Sequence, residues 1–366
     1  MRPRRRQLLC AGLAVGVLAA AAVLLRPLLP AARLLGEFAD PRDPLTEGVV
    51  EEPFSSGEGT VRGTLFRPVA GDAPFPGFVV CHGAAKDGYR DERLVRFARA
   101  LARRGAVALA PDLEELRRFH VTASTVDQIV AAHHALVARR DLLSGGRASL
   151  VGISFAGTLC LLAAARPEVR DEVPAVFSFG GYADLEGLVR HWLTAAPEAA
   201  GGEYPVESYG KVIVVLQCLD PLVEEPERGP LREALENFLR EKKRPPRPDG
   251  LGETARELWT AATTVGPAPV PLVERIVVAL RPGLGPIEPI GRLGGIRAAP
   301  FLLHAAGDRL IPPSESARLA AALGGRTRTL VTSLFDHVTV RGEGSAWGER
   351  WRLVRFTAAF LGAAGL

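Results

Sequence analysis

Beyond an apolar segment near its N-terminus, the chain alternates short apolar runs with stretches whose apolar residues recur at helical spacing. The apolar runs predict β-strands, and several are apolar at nearly every position, which is typical of strands buried on both faces. The predicted strands are residues 60–67, 75–81, 106–110, 148–153, 175–179, 299–304 and 328–334.

The amphipathic stretches lie between these runs and predict helices. In residues 90–103, for example, Leu94, Phe97, Ala98 and Leu101 fall on one face. The other predicted helices are residues 125–139, 314–323 and 349–361. Strands that alternate with helices are typical of a mostly parallel sheet covered by helices on both faces, so the pattern predicts an α/β fold.

The alternation stops between residues 184 and 295, where helix-like pieces at 231–242 and 253–262 are joined by proline-rich connections. An insertion of this length between two strands of a sheet predicts a helical cap. The core is then expected to consist of residues 59–183 and 296–366, with the cap at 184–295.

The N-terminal segment has a different character. Four arginines, the last of them Arg6, precede an uncharged and almost wholly apolar run of nineteen residues, 7–25. At about 1.5 Å per residue this run just spans a hydrocarbon core of about 30 Å, whereas the apolar region of a signal peptide has about 7–15 residues. Residues 1–36 are therefore predicted to form a signal anchor with a transmembrane helix, and residues 37–58 a linker with little regular structure.

The position of the arginines predicts that the rest of the chain lies on the extracytoplasmic side of the membrane. A cleaved signal, which would leave a secreted or periplasmic protein, is the alternative.

The formal charge of +4 is 45 basic minus 41 acidic residues, and the four N-terminal arginines account for it. The rest of the chain is balanced, so no nucleic-acid partner is expected. The spacing of the four cysteines suits no metal site.

A serine in a segment bounded by two glycines follows the predicted strand 148–153. The hexapeptide GISFAG, residues 152–157, leads from this strand into a helical run. A serine on a sharp strand-to-helix turn has its hydroxyl clear of the backbone and open to a substrate. Gly152 tolerates the crowding of such a turn, and the small residue Gly157 lets the helix pack against the neighbouring strand. Ser154 is thus the predicted nucleophile; an ordinary turn is the alternative for this motif alone.

The loop His82-Gly83-Ala84 follows the predicted strand 75–81. Backbone N–H groups on such a loop can face the serine and, with the N–H of the residue after it, hold an oxyanion. Ala84 and Phe155 are the predicted donors, and His82 and Gly83 support the turn. A plain turn with His82 packed inside is the alternative.

Two later loops provide an acid and a base. Asp308 follows the predicted strand 299–304 and is placed to fix a histidine tautomer. His337 follows the strand 328–334, where an imidazole can accept the serine proton and donate it to the leaving group.

The competing acids are Asp112, Asp220 and Asp336. Of these, Asp112 is expected to order the loop after its own strand. The remaining histidines are expected to be packing residues; they are His120, His133, His134, His191 and His304.

The chain order Ser154, Asp308, His337 is that of α/β-hydrolases and differs from the orders in chymotrypsin and subtilisin. From about residue 59 onwards the sequence resembles the α/β-hydrolase family, particularly its dienelactone-hydrolase-like and esterase or acyl-peptidase-like branches. In those relatives the phrase carried here by residues 304–312 bears the catalytic aspartate, and the one at Asp336-His337 bears the histidine. Ala156 stands where the family has its second glycine.

These signals together imply a serine hydrolase that cleaves a carboxylic ester or related acyl bond of a small molecule through an acyl-serine, without metal or cofactor. A serine peptidase acting on short peptides uses the same machinery. A membrane-tethered binding protein whose site has lapsed would keep the same fold.

Overall fold

The computed structural model describes residues 25–57, 59–71, 73–194, 206–241, 243–336, 339–340 and 347–366. Within them lies an eight-stranded sheet in the order β1-β2-β4-β3-β5-β6-β7-β8. The strands are β1 Val49–Ser55, β2 Arg62–Pro68, β3 Phe75–Cys81, β4 Val107–Pro111, β5 Leu143–Ile153, β6 Ala175–Phe179, β7 Ala299–Ala305 and β8 Arg328–Thr332.

The sheet is mostly parallel. β2 pairs antiparallel with both β1 and β4, while each pair from β4 through β3 to β8 is parallel. Every residue of β4 and β6 is buried, because strands covered by helices on both faces have no solvent side. The α/β fold predicted from the alternation is confirmed.

Strand β1 was not predicted, and it corrects the expectation of an irregular linker at residues 37–58. Among the strands that the structure describes it is an edge strand paired with β2, and it carries Glu51, Glu52 and Pro53. Charged residues and proline are typical of strand edges and remove the apolar alternation by which a strand is recognised.

The helices cover both faces of the sheet. They are α1 Leu29–Ala39, α2 Glu92–Arg103, α3 Glu114–Arg117, α4 Ala123–Val137, α5 Phe155–Ala164, α6 Leu185–Thr194, α7 Val206–Leu222, α8 Arg228–Glu241, α9 Glu253–Thr263, α10 Val270–Leu284, α11 Ser314–Leu323 and α12 Trp347–Ala363. One apolar core contains residues of α4 and α5 and continues into the insertion; the other contains residues of α1, α2 and α12.

Helices α6 to α10 form the insertion between β6 and β7. Helix α7 contacts α6, α8, α9 and α10, so its run from Val212 to Leu216 is buried. A helix surrounded on all sides has no polar stripe. The helical character predicted for residues 184–295 is confirmed.

Helix α1 packs onto the fold through Ala31 and Leu34, which are fully buried. The guanidinium of Arg96 on α2 holds its end by donating to the carbonyls of Glu37 and Asp43, each at 2.7 Å. Residues 29–36, predicted as part of the anchor segment, therefore belong to the folded domain.

Within the part of the chain that the structure describes, no helix has the length and apolar character needed to cross a membrane. The predicted transmembrane run, residues 7–25, lies outside the described residues except for Leu25.

Candidate active site

Ser154 occupies the turn between β5 and α5. Its backbone has φ 56° and ψ −129°, a region that non-glycine residues avoid and that is characteristic of functional turns. The turn is held by hydrogen bonds from Ser154 N–H to Phe179 O at 2.7 Å and from Gly157 N–H to Ser154 O at 2.8 Å. The residue is 6% exposed, so the serine lies at the carboxyl end of a central strand and is covered by other parts of the protein.

The glycines around Ser154 allow the turn to be tight. A Cβ added to Gly152 would lie 2.1 Å from the carbonyl oxygen of Ala156, and one added to Gly157 would lie 2.5 Å from Ser178 Oγ on β6. Both positions therefore exclude larger residues, as the motif predicted. Ala156 itself is fully buried, so the methyl group at the departure from the family pattern is accommodated.

The predicted oxyanion loop lies beside the serine, since a Cβ on Gly83 would be 3.0 Å from the Cβ of Ser154. His82 braces this loop. Its Nε2 accepts the N–H of Leu113 at 3.2 Å, which leaves the ring proton on Nδ1 to donate to Gly83 O at 2.8 Å. Burial lowers the pKa of His82 below its usual value, so the neutral ring that these bonds require is favoured.

The bond from His82 sets the direction of a predicted donor. In a trans peptide the C=O and the following N–H point in opposite directions, so holding Gly83 O aims Ala84 N–H away from the His82 ring. The second predicted donor is Phe155 N–H. Phe155 is the first residue of α5, where backbone N–H groups have no acceptor within the helix.

Asp308 lies on the loop after β7 and is buried. Its Oδ1 accepts the N–H groups of Leu310 and Ile311, each at 2.9 Å, and its Oδ2 lies 3.4 Å from Nε2 of His304. The ends of β5, β6 and β7 are tied together, because Ser154 N–H bonds to β6 and Gly180 N–H donates to Leu303 O of β7 at 2.9 Å. Ser154 and Asp308 thus follow strands that end at one edge of the sheet.

His304 was expected to be a packing residue, and its polar atoms are indeed satisfied inside the protein. Nδ1 lies 2.6 Å from Ser316 Oγ and Nε2 lies 2.8 Å from Ile311 O. The structure adds that this ring supports the loop that carries Asp308. The spacing of four residues between His304 and Asp308 was visible in the sequence, but their contact was not.

The competing acids have other partners. Asp112 accepts from Arg117 Nε at 3.0 Å, which confirms that it orders the loop after its own strand. Asp220 lies in the insertion, with its carboxylate 2.8 Å from Arg232. The side chain of Asp336 and the whole of His337 lie outside the described residues, so the predicted base stays a prediction.

The sequence did not indicate two aromatic residues of the insertion. Trp192 on α6 donates from Nε1 to Leu310 O at 2.7 Å, and its ring lies 6.0 Å from that of Phe155 in an edge-on arrangement. Tyr209 on α7 donates its hydroxyl to Ala84 O. Through these two residues the insertion contacts the loops at the carboxyl ends of β3 and β7, on either side of the turn that carries Ser154.

The sheet has eight strands, is mostly parallel and has helices on both faces, and a strained serine turn joins a central strand to the next helix. This combination is characteristic of one fold. The chain has the α/β-hydrolase fold. The branch of the α/β-hydrolases that the sequence resembles stays a prediction. Among the residues described, no group of three or more His, Cys, Asp or Glu side chains is arranged to hold a metal ion.

Several solved α/β structures are similar to this chain at low identity. A 2,6-dihydroxy-pseudo-oxynicotine hydrolase is 14% identical, with 86% of this chain and 68% of that chain covered and a TM-score of 0.47. An acetyl xylan esterase from Paenibacillus sp. R4 is 16% identical, with 86% and 85% covered and a TM-score of 0.46. A membrane phospholipase A, a bacterial virulence factor, is 20% identical, with 99% of each chain covered and a TM-score of 0.44. No protein-family model and no curated protein matches the sequence.

Proposed function

We propose that this protein is a serine hydrolase that cleaves a carboxylic ester or a related acyl bond of a small molecule. The observation that carries the proposal is the backbone of Ser154, held at φ 56° between β5 and α5. Such strain persists only where the surroundings impose it, and it is concentrated at functional sites. The buried carboxylate of Asp308 after β7 and the braced loop at Ala84 supply two further parts of a hydrolase site.

In the proposed reaction His337 removes the proton of Ser154 Oγ, which attacks the carbonyl carbon of the substrate. The N–H groups of Ala84 and Phe155 stabilise the oxyanion, and His337 returns the proton to the leaving alcohol. Water then attacks the acyl-serine while His337 takes a proton from it, and the bond between the acyl carbon and Ser154 Oγ breaks as His337 returns the proton to that oxygen and the carboxylic acid leaves. Asp308 orients the imidazole and stabilises its charged form.

The burial of Ser154 bears on substrate size. With 6% of the residue exposed, and with Trp192 and Tyr209 of the insertion contacting Phe155 and Ala84 beside it, we expect that a segment of a folded protein does not reach the hydroxyl. A small acyl compound that enters when the cap moves fits this arrangement better. Short peptides are the second candidate, since the same machinery accepts them.

The test is labelling by a fluorophosphonate and turnover of short-chain 4-nitrophenyl esters, measured on the full chain in detergent. Ser154→Ala should abolish both. Ser149→Ala is a matched control, because Ser149 lies on the same strand and its buried hydroxyl has no hydrogen-bond partner among the described residues. Failure of the unmodified protein to react with either reagent, or equal labelling of Ser154→Ala, would overturn the proposal.

We also propose that residues 7–25 anchor the protein with its catalytic domain outside the cytoplasm. The support is the arginine cluster before a nineteen-residue apolar run. In carbonate extraction of cells that express the full chain, an uncleaved protein in the membrane fraction is the expected result. A shortened, soluble product outside the cytoplasm would indicate a cleaved signal instead, and full-length protein in the cytosol would contradict both.

A further inference from the structure

The hydroxyl of Tyr209 joins the cap to the oxyanion loop. It donates to the carbonyl of Ala84 across 125 residues of sequence, and its ring stands edge-on to Phe119, with 6.4 Å between centroids. Tyr209 lies in the first turns of α7, the central helix of the cap. Any role of this hydrogen bond in catalysis rests on the proposed function.

Two successive carbonyls of the oxyanion loop are held by side chains. His82 donates to Gly83 O and Tyr209 donates to Ala84 O. The peptide planes on both sides of Ala84 are therefore held, and with them the direction of the Ala84 N–H. His82 belongs to the core of the fold, whereas Tyr209 belongs to the cap, so only the second bond depends on where the cap lies.

The same turns of α7 are tied to the rest of the site. Gly210 packs against the ring of Trp192, since a Cβ there would lie 2.5 Å from the ring. Trp192 in turn contacts Phe155 and bonds to Leu310 O on the Asp308 loop. Lys211, which is buried, donates from Nζ to Thr264 O at 3.3 Å and to Gly266 O within the cap. The segment of α7 at Tyr209 and Gly210 thus contacts the oxyanion loop directly. Through Trp192 it also contacts Phe155, which follows Ser154, and the loop that carries Asp308.

We propose that Tyr209 is a positioning residue that makes the oxyanion hole dependent on the closed cap. A substrate reaches the buried Ser154 only when the cap moves, and that movement separates Tyr209 from Ala84. Closure restores the hydrogen bond and fixes the peptide that follows Ala84, so that the Ala84 N–H, whose direction His82 sets, is held in place beside the developing oxyanion. The hole is then complete only when the substrate is enclosed.

The experiment compares Tyr209→Phe with Tyr182→Phe in the full chain. Each variant loses one hydroxyl that donates to a backbone carbonyl, since Tyr182 donates to Ile287 O at 3.0 Å. Tyr209→Phe is expected to lower kcat for a 4-nitrophenyl ester by about 10–100-fold, less than the loss of an oxyanion donor itself, with KM within about 2-fold. Tyr182→Phe should keep kcat within about 2-fold, although burial makes it comparably destabilising.

A second readout separates positioning from general loosening. Affinity for a trifluoromethyl ketone, whose adduct places a negative oxygen in the hole, should fall in proportion to kcat/KM in Tyr209→Phe. Affinity for the matching methyl amide, which forms no adduct, should not change. Phe119→Leu keeps the Tyr209 hydroxyl but removes the ring beside it, and it should lower kcat by about 3–10-fold; it provides the test if Tyr209→Phe does not fold.

Equal kinetics in Tyr209→Phe and Tyr182→Phe, or a raised KM with unchanged kcat, would overturn this inference and leave the proposed function intact. An unmodified protein that neither hydrolyses esters nor reacts with the fluorophosphonate would remove the proposed function, and the role of Tyr209 with it.

Discussion

Gly152 is in close contact with the carbonyl oxygen of Ala156, since a Cβ on Gly152 would be 2.1 Å from that oxygen. Gly152 is near the end of β5 and Ala156 is in the first turn of α5. Their contact sets how sharply the chain reverses, and Ser154 lies between them. The position of the proposed nucleophile therefore depends on a residue that has no side chain.

Substitution Gly152→Ala is expected to displace α5 from β5. The oxygen that it meets belongs to the backbone and cannot rotate away, so we expect a loss of about 2 kcal/mol or more in the free energy of unfolding. The ester turnover of the folded fraction should fall at least about 100-fold, because Ser154 loses its alignment. Urea unfolding and kinetics on the same sample measure both effects.

Gly229 is the control for this substitution. It lies in α8, where an added Cβ would have no described atom within 4 Å outside its chain neighbours and the backbone of its own helix, and alanine is the better helix former. Gly229→Ala should leave turnover unchanged and stability unchanged or slightly higher. Wild-type behaviour of Gly152→Ala would contradict the packing argument.

Asp308→Asn should lower kcat by about 10⁴-fold, because the amide cannot support the correct tautomer and charge of the proposed base, His337. The amide oxygen can still accept the N–H groups of Leu310 and Ile311, so the variant is expected to fold. Asp112→Asn is the matched control: its partner Arg117 is 39% exposed, and the loss should be under about 1 kcal/mol with kcat nearly unchanged. A reversal of these two effects would assign the acid to Asp112.

Trp192→Phe keeps an aromatic ring beside Phe155 but leaves Leu310 O without the indole donor. An unpaired buried carbonyl costs about 1–3 kcal/mol, and because Leu310 lies on the loop that carries Asp308 and donates to its carboxylate, we expect kcat to fall several-fold. Trp259→Phe, at a buried tryptophan of α9, removes similar ring area and should leave kcat unchanged. Thermal unfolding and steady-state kinetics distinguish the two variants. Equal kcat values would show that Trp192 does not affect catalysis through the loop that carries Asp308.

The buried His133 gives the protein a pH-dependent stability. Burial lowers the pKa of His133 from 6.5 to about 4, so between these values the unfolded chain binds a proton that the folded chain does not. Its contribution to stability is therefore complete above pH 6.5 and decreases as the pH falls toward 4. At pH 5 the loss relative to pH 7.5 is about 2 kcal/mol.

Urea unfolding at pH 7.5 and pH 5 checks this contribution. His133→Asn should lose about 2 kcal/mol less than the wild type between the two pH values. His134→Asn, at the exposed neighbour, should retain the wild-type difference. An identical pH dependence in wild type and His133→Asn would show that His133 is not buried in its neutral form.

Local patterns were sufficient to predict the strands that are buried on both faces and the serine turn. β3 and β6 have the predicted bounds, because continuous apolar runs and the residues of a tight turn are properties of adjacent positions. β1 was missed for the corresponding reason: an edge strand with Glu51, Glu52 and Pro53 has no apolar pattern.

The residue types and order of Ser154, Asp308 and His337 were readable from the amino-acid sequence alone, because each follows a recognisable strand in the chain. Only the tertiary structure decided that Tyr209 bonds to Ala84, 125 residues away, and Trp192 to Leu310, 118 residues away. Such contacts depend on how helices α6 to α10 pack against the loops at the carboxyl ends of the strands. A single hydrogen bond between distant segments imposes no periodicity and no local composition on either of them, so the sequence carries no pattern that predicts it.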